Sequence, residues 1–144
     1  MQAQLLAPAS VLVLWTFVML FWMAGTRLPA MKAMGGGLGK AKPGGRGQDL
    51  EGRLPDPVNW KAHNHTHLME QPTLFYATVA IIAILGPVEH DVWFAWAYVI
   101  LRIAHSIWQA TVNRVPVRFA LFMLSSLCLL VLALHAAKLA LTGS

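Results

Sequence analysis

Charge is scarce in this chain, and acid scarcer still: 144 residues hold six Asp and Glu against eleven Lys and Arg, so that only 12% are charged. A soluble domain carries about a quarter charged residues. Too little polar surface is present to cover a water-soluble globule. Cysteine is nearly missing as well. With Cys128 alone, an intrachain disulfide and any metal cluster held by several thiolates are excluded. Its neighbours, LSSLCLLVLALH, are apolar, so Cys128 reads as packing. The basic residues also have no aromatic stacking platform beside them. Most lie in one Gly-rich stretch (Lys32, Lys40, Lys42, Arg46, Arg53, Lys61), which fits attraction to anionic lipid and the fixing of topology, not a nucleic-acid partner.

What is abundant is hydrocarbon. Hydrophobic residues make up 57% of the chain and the mean hydropathy is +0.56. Apolar runs of about twenty residues match a hydrocarbon core of roughly 30 Å, and four such runs are expected here, at about 5–25, 60–85, 92–112 and 117–141. The first has no basic n-region and is too long for a secretory h-region. It reads as a membrane helix ended by Gly25 and Pro29. From 29 to 59 the stretch MGGGLGKAKPGGRGQDLEGRLPDP is rich in Gly, Pro and charge, so a mobile loop, or one ordered by a partner, is expected. Pro72 should kink the second helix. The fold class expected is an all-α integral membrane protein, a single-domain antiparallel bundle of four transmembrane helices. The first loop and the NRVPVR turn hold nearly all the Lys and Arg, and the intervening GPVEHD turn holds none. The positive-inside rule then places the first and third loops in the cytoplasm and both termini on the other side.

Ionisable groups inside a membrane helix cost about 2.5–3.5 kcal/mol each at its centre, so each needs a reason. On the second helix His63, His67 and Glu70 are spaced i, i+4, i+7, flanked by His65 and Gln71. On the third, Arg102, His105, Ser106, Gln109 and Asn113 follow i, i+3, i+4, i+7, i+11. Both sets form single stripes at 3.6 residues per turn. Facing lipid would cost them their hydrogen bonds, so they face each other or a wet cavity. Three readings are open. The groups could pair across helices, Glu70 with Arg102 for instance, and hold the bundle in register. They could line a polar pocket on the cytoplasmic side beside Arg114 and Arg118. Or His63, His67 and Glu70 could form a two-His, one-carboxylate metal set. The number of polar groups exceeds what registry needs, which favours the pocket, and a metal is not expected as a cofactor. No broken helix pair or inverted repeat points to a transporter.

The segments HNHTHLMEQPTLFYA and AYVILRIAHSIWQATVNRVPVRF resemble two motifs of the MAPEG family, membrane-associated proteins in eicosanoid and glutathione metabolism, and are most like its bacterial members of unassigned activity. The first resembles a second-helix pattern Arg-x-His-x-Asn-x-x-Glu followed by proline. The second resembles Arg-x-x-His-Ser/Thr and the basic turn after it. The resemblance implies a homotrimer of four-helix bundles in a bacterial inner membrane. It also implies glutathione bound between subunits near the cytoplasmic side, an arginine steadying the thiolate, and a lipophilic substrate arriving from the membrane. Glu70, His65, Arg102, His105 and Ser106 match the motif positions, with Gln109 and Asn113 beside them. Arg114 and Arg118 fall in the turn that carries the candidate thiolate-activating arginine. Three positions depart: His63 stands for arginine, His67 for asparagine, and Gln109 for a tyrosine that contacts glutathione. Phe119 takes a place that is serine in some members. These departures open an alternative, a non-catalytic membrane subunit that binds lipid, pigment or quinone or docks on a larger membrane complex. Trp15, Phe17, Trp22, Trp93 and Trp96 would form either an interfacial belt or a docking surface.

Overall fold

The computed structural model describes every residue from Met1 to Ser144 and contains helices and turns only. We number the helices α1 (Gln2–Ala33), α2 (Asp56–Leu68), α3 (Pro72–Leu85), α4 (Glu89–Thr111) and α5 (Val115–Thr142). Helices α2 and α3 are two halves of one column, separated by Met69–Gln71, and Pro72 takes the first position of α3. Proline at that position lacks only an N–H that a new helix could not satisfy anyway, so the chain breaks and restarts there. Three stretches are long and apolar enough to cross a membrane: Gln2–Ala33, Asp56–Leu85 and Val115–Thr142. Helix α4 is of similar reach, 23 residues, but its polar stripe lowers its hydropathy.

That stripe decides how the bundle packs. The buried residues of α4 are Asp91, Ala95, Tyr98, Val99, Arg102, His105, Ser106, Gln109 and Ala110, one face from end to end. The helix lies against α1, α2 and α5, and α3 closes the bundle against α1 and α5. The apolar core runs alongside, with Leu5, Leu12, Met19, Phe75, Val79, Ile82, Tyr98, Val99 and Leu132 fully buried. Phe75 stacks on Tyr98 at 4.3 Å between centroids and 20° between planes, and Cys128 packs at the margin. Outward faces are hydrocarbon: Leu14, Phe21, Leu74, Ile84, Leu134 and Leu141 are among the exposed side chains.

Helix α1 runs eight residues beyond the expected stop. Gly25 and Pro29 do not end it, and Pro8 also lies inside. One proline removes one ladder bond, which packing in a membrane bundle can absorb. The extension is also tied down, since Arg27 Nη2 donates to Asn59 Oδ1 at 3.4 Å and to Gly47 O at 3.5 Å. The Gly-rich connection between α1 and α2 is pinned by its own chain. It forms 3-10 turns at Leu38–Lys40 and Gly47–Leu50, Leu54 is buried, and Asn59 Nδ2 donates to Leu50 O at 3.2 Å.

Candidate functional site

The stripes of the second and third spans meet inside one chain. At their centre Arg102 is fully buried, and none of its three guanidinium nitrogens has a hydrogen-bond partner. Aromatic faces surround it, Tyr98 at 5.9 Å and Phe122 at 5.7 Å from ring centroid to Cζ. Every carboxylate ion pair in the structure is made with a histidine; none is made with this arginine. His67 and His105 lie beside it with ring centroids 4.9 Å apart, and both rings also approach Phe122.

Next along α4, Ser106 Oγ accepts from Asn64 Nδ2 at 2.7 Å and from Trp15 Nε1 at 2.9 Å. A fully buried hydroxyl thus joins three helices. Gln109, one turn further, is buried with its Oε1 unpaired, and the Asn64 Oδ1 and His67 Nε2 atoms are unpaired too. On the other side Tyr98 Oη donates to Gln71 Oε1 at 3.2 Å, and Gln71 Nε2 donates to Ser126 Oγ at 2.8 Å. Native interiors leave few buried polar atoms without a partner. Around one guanidinium the structure gathers donors without acceptors, on Arg102, and acceptors without donors, on Asn64 and Gln109.

The remaining residues singled out from the sequence lie outside this cluster. Glu70 leaves its carboxylate 65% exposed, 3.5 Å from His67 Nδ1, and forms no pair with Arg102, so the expected Glu70–Arg102 bridge is absent. His63 is exposed and bonded to Glu51 of the Gly-rich connection. His63, His67 and Glu70 therefore do not gather as metal ligands, because α2 turns His63 away from the bundle. The only His/Asp/Glu group whose ligand atoms converge lies elsewhere.

His65 points to a lipid-side groove of about 340 Å³ that crosses the α2–α3 break. Val13, Thr16 and Phe17 of α1 and Thr73 and Tyr76 of α3 also line it. Asn113 adopts a left-handed backbone, φ 55°, a conformation that asparagine tolerates at a helix end, and its Oδ1 accepts from Arg118 Nη1 at 2.6 Å. It thereby stops α4 and orients Arg118. Arg114 is exposed on the same turn, its carbonyl accepting from Trp108 Nε1 at 3.1 Å.

Asn64, Trp15, Phe122, Tyr98 and Ser126 were not among the expected site residues. Asn64 sits in the HNHTH run, where alternating histidines mask the face. Trp15 reads from the sequence as part of a belt or docking surface, yet its indole reaches Ser106. Phe122 has no polar signal at all. No curated protein and no solved structure matches the chain. The model of the MAPEG family matches residues 5–138, nearly the whole length of the chain, and the chain belongs to the MAPEG family.

Proposed function

We propose that this protein is a glutathione-dependent transferase or peroxidase of the membrane. All four columns cross the bilayer, and its copies assemble as a trimer with glutathione held at the cytoplasmic end between neighbours and its sulfur directed inward to the polar interior of one chain. The observation that carries the reading is Arg102, a buried guanidinium without an anion. An unpaired cation in low dielectric lowers the free energy of any thiolate or carboxylate brought near it, and a thiol of pKa about 8.5 needs such help to ionise near neutral pH. Glu70, exposed on the outer side of the break, suits the ammonium group of a tripeptide. Arg118, held by Asn113, and Arg114 suit its carboxylates or its sulfur. The groove beside His65 offers a lateral route for an apolar electrophile.

The direct test is turnover. Purified protein in detergent is given glutathione and a lipophilic electrophile or hydroperoxide, and wild type is compared with Glu70→Gln and Arg118→Ala. Activity that falls at least about tenfold in both variants supports the assignment, since a charged hydrogen bond is worth about 1.5–3 kcal/mol. Wild-type turnover no faster than that of free glutathione removes it.

A second reading, a non-catalytic subunit of a larger complex, is favoured by one observation: His63 is engaged by Glu51 and so is not offered to a ligand. Gentle solubilisation and native electrophoresis separate the two. Migration as a free homo-oligomer opposes the subunit reading, and co-migration with other chains supports it.

A further inference from the structure

At the end of the bundle away from Arg102, His90 and Asp91 of α4 meet His135 of α5. One ligand atom from each lies within 4.8 Å of the others. Asp91 and Arg102 are eleven residues apart on one helix, about 16 Å at the usual rise, so this cluster is separate from the thiol site proposed above. We propose that it is a divalent transition-metal site, with zinc as the ion its donors suit best.

Three features carry the proposal. First, Asp91 is 1% exposed, and its two oxygens have different tasks. Oδ2 accepts from Val88 N at 2.9 Å and caps α4, whereas Oδ1 is turned to His135 Nδ1 at 2.7 Å. The capping bond alone explains an aspartate at this position; it does not explain His135 on the other oxygen with His90 gathered beside the pair. Second, the histidine rings lie 5.6 Å apart and His90 is exposed, so its side chain can swing inward. Four ligands around zinc at about 2.1 Å sit roughly 3.4 Å from one another. A modest rotation of His90 inward, with the 2.7 Å His135–Asp91 hydrogen bond opening as the ion replaces its proton, brings the present spacing to that figure. Third, two imidazoles and one carboxylate select zinc and its first-row neighbours over calcium or magnesium, which prefer all-oxygen shells. Three protein ligands leave a fourth position for water or for the nearby exposed Glu89. A bound ion would join the first turn of α4 to the distal half of α5, two helices linked at their other ends by the turn at Asn113.

The test is equilibrium dialysis of the chelator-treated full chain, without a polyhistidine tag, against zinc chloride, with metal analysis of the retained protein. The expected result is one equivalent per chain in the wild type and in His63→Ala/His67→Ala, with affinity weakened at least about tenfold to a hundredfold in His90→Ala and His135→Gln. Because His90 is exposed, His90→Ala folds even if His135→Gln does not. Absence of saturable binding in the wild type, unchanged affinity in His90→Ala, or loss confined to the His63/His67 variant would each overturn the assignment. None of these outcomes bears on glutathione.

Discussion

Replacing Arg102 with methionine separates a structural arginine from one kept for a ligand. A charge at the centre of a membrane helix costs about 2.5–3.5 kcal/mol. In this structure it recovers no hydrogen bond; only two cation–π contacts remain, to Tyr98 and Phe122, at about 0.5–1 kcal/mol each. The difference, about 0.5–2.5 kcal/mol with its middle at ~1.5, is the net cost of keeping the charge buried. Methionine matches the length of the aliphatic stem and has no charge to desolvate, and such replacements of buried ions are commonly neutral or stabilising. Arg102→Met should therefore stabilise the unliganded protein by about 1–2 kcal/mol, an increase of about 2–8 °C in Tm at this chain length. Thermal unfolding in detergent, followed by circular dichroism at 222 nm or thereabouts, measures it. A loss of more than about 2 kcal/mol would mean that the guanidinium is satisfied within the chain, and the ligand argument would fail with it.

Three further outcomes follow from the same geometry. Ser106→Ala leaves the buried donors of Asn64 and Trp15 without an acceptor and should cost about 2–4 kcal/mol, read as a lowered unfolding midpoint. A change under 0.5 kcal/mol or so would show that the two donors find other partners. At Asn113, glycine should be neutral to slightly stabilising and alanine destabilising by about 1 kcal/mol, because only alanine pays the left-handed penalty; equal effects would contradict the backbone assignment. Both variants free Arg118 and should lower any thiol-dependent turnover alike. Phe75→Ala removes a fully buried ring stacked on Tyr98 and should cost about 3–5 kcal/mol, with a loss below 1.5 kcal/mol or so arguing that the core collapses around the gap.

The third-helix stripe was legible because α4 is unbroken. With no interruption, the spacing from Arg102 through His105 and Ser106 to Gln109 maps directly onto one buried face. The second-helix stripe was legible in content and misplaced in phase. His63, His67 and Glu70 share a helical face, but the inward set is Asn59, Asn64, Leu68 and, past the break, Pro72 and Phe75, with His67 half-buried. Three histidines at alternate positions cannot all point one way on a helix, and the restart at Pro72 resets the angle for everything before it. Helix α1 passes its expected end because Gly25 and Pro29, helix breakers by local propensity, yield to anchoring by Arg27 and Asn59. The same Asn59 holds the Gly-rich connection, a tertiary contact that composition does not carry. The His90–Asp91–His135 cluster joins residues 45 positions apart along the chain, beyond the reach of any periodicity.

Whether Arg102 steadies a bound thiolate is read directly from absorbance. Thiolate formation is followed at about 240 nm as purified wild type and Arg102→Met are titrated with glutathione at neutral pH. A saturable rise is expected for wild type and none for the variant. A flat wild-type trace at millimolar ligand, or an equal rise in both proteins, would contradict it.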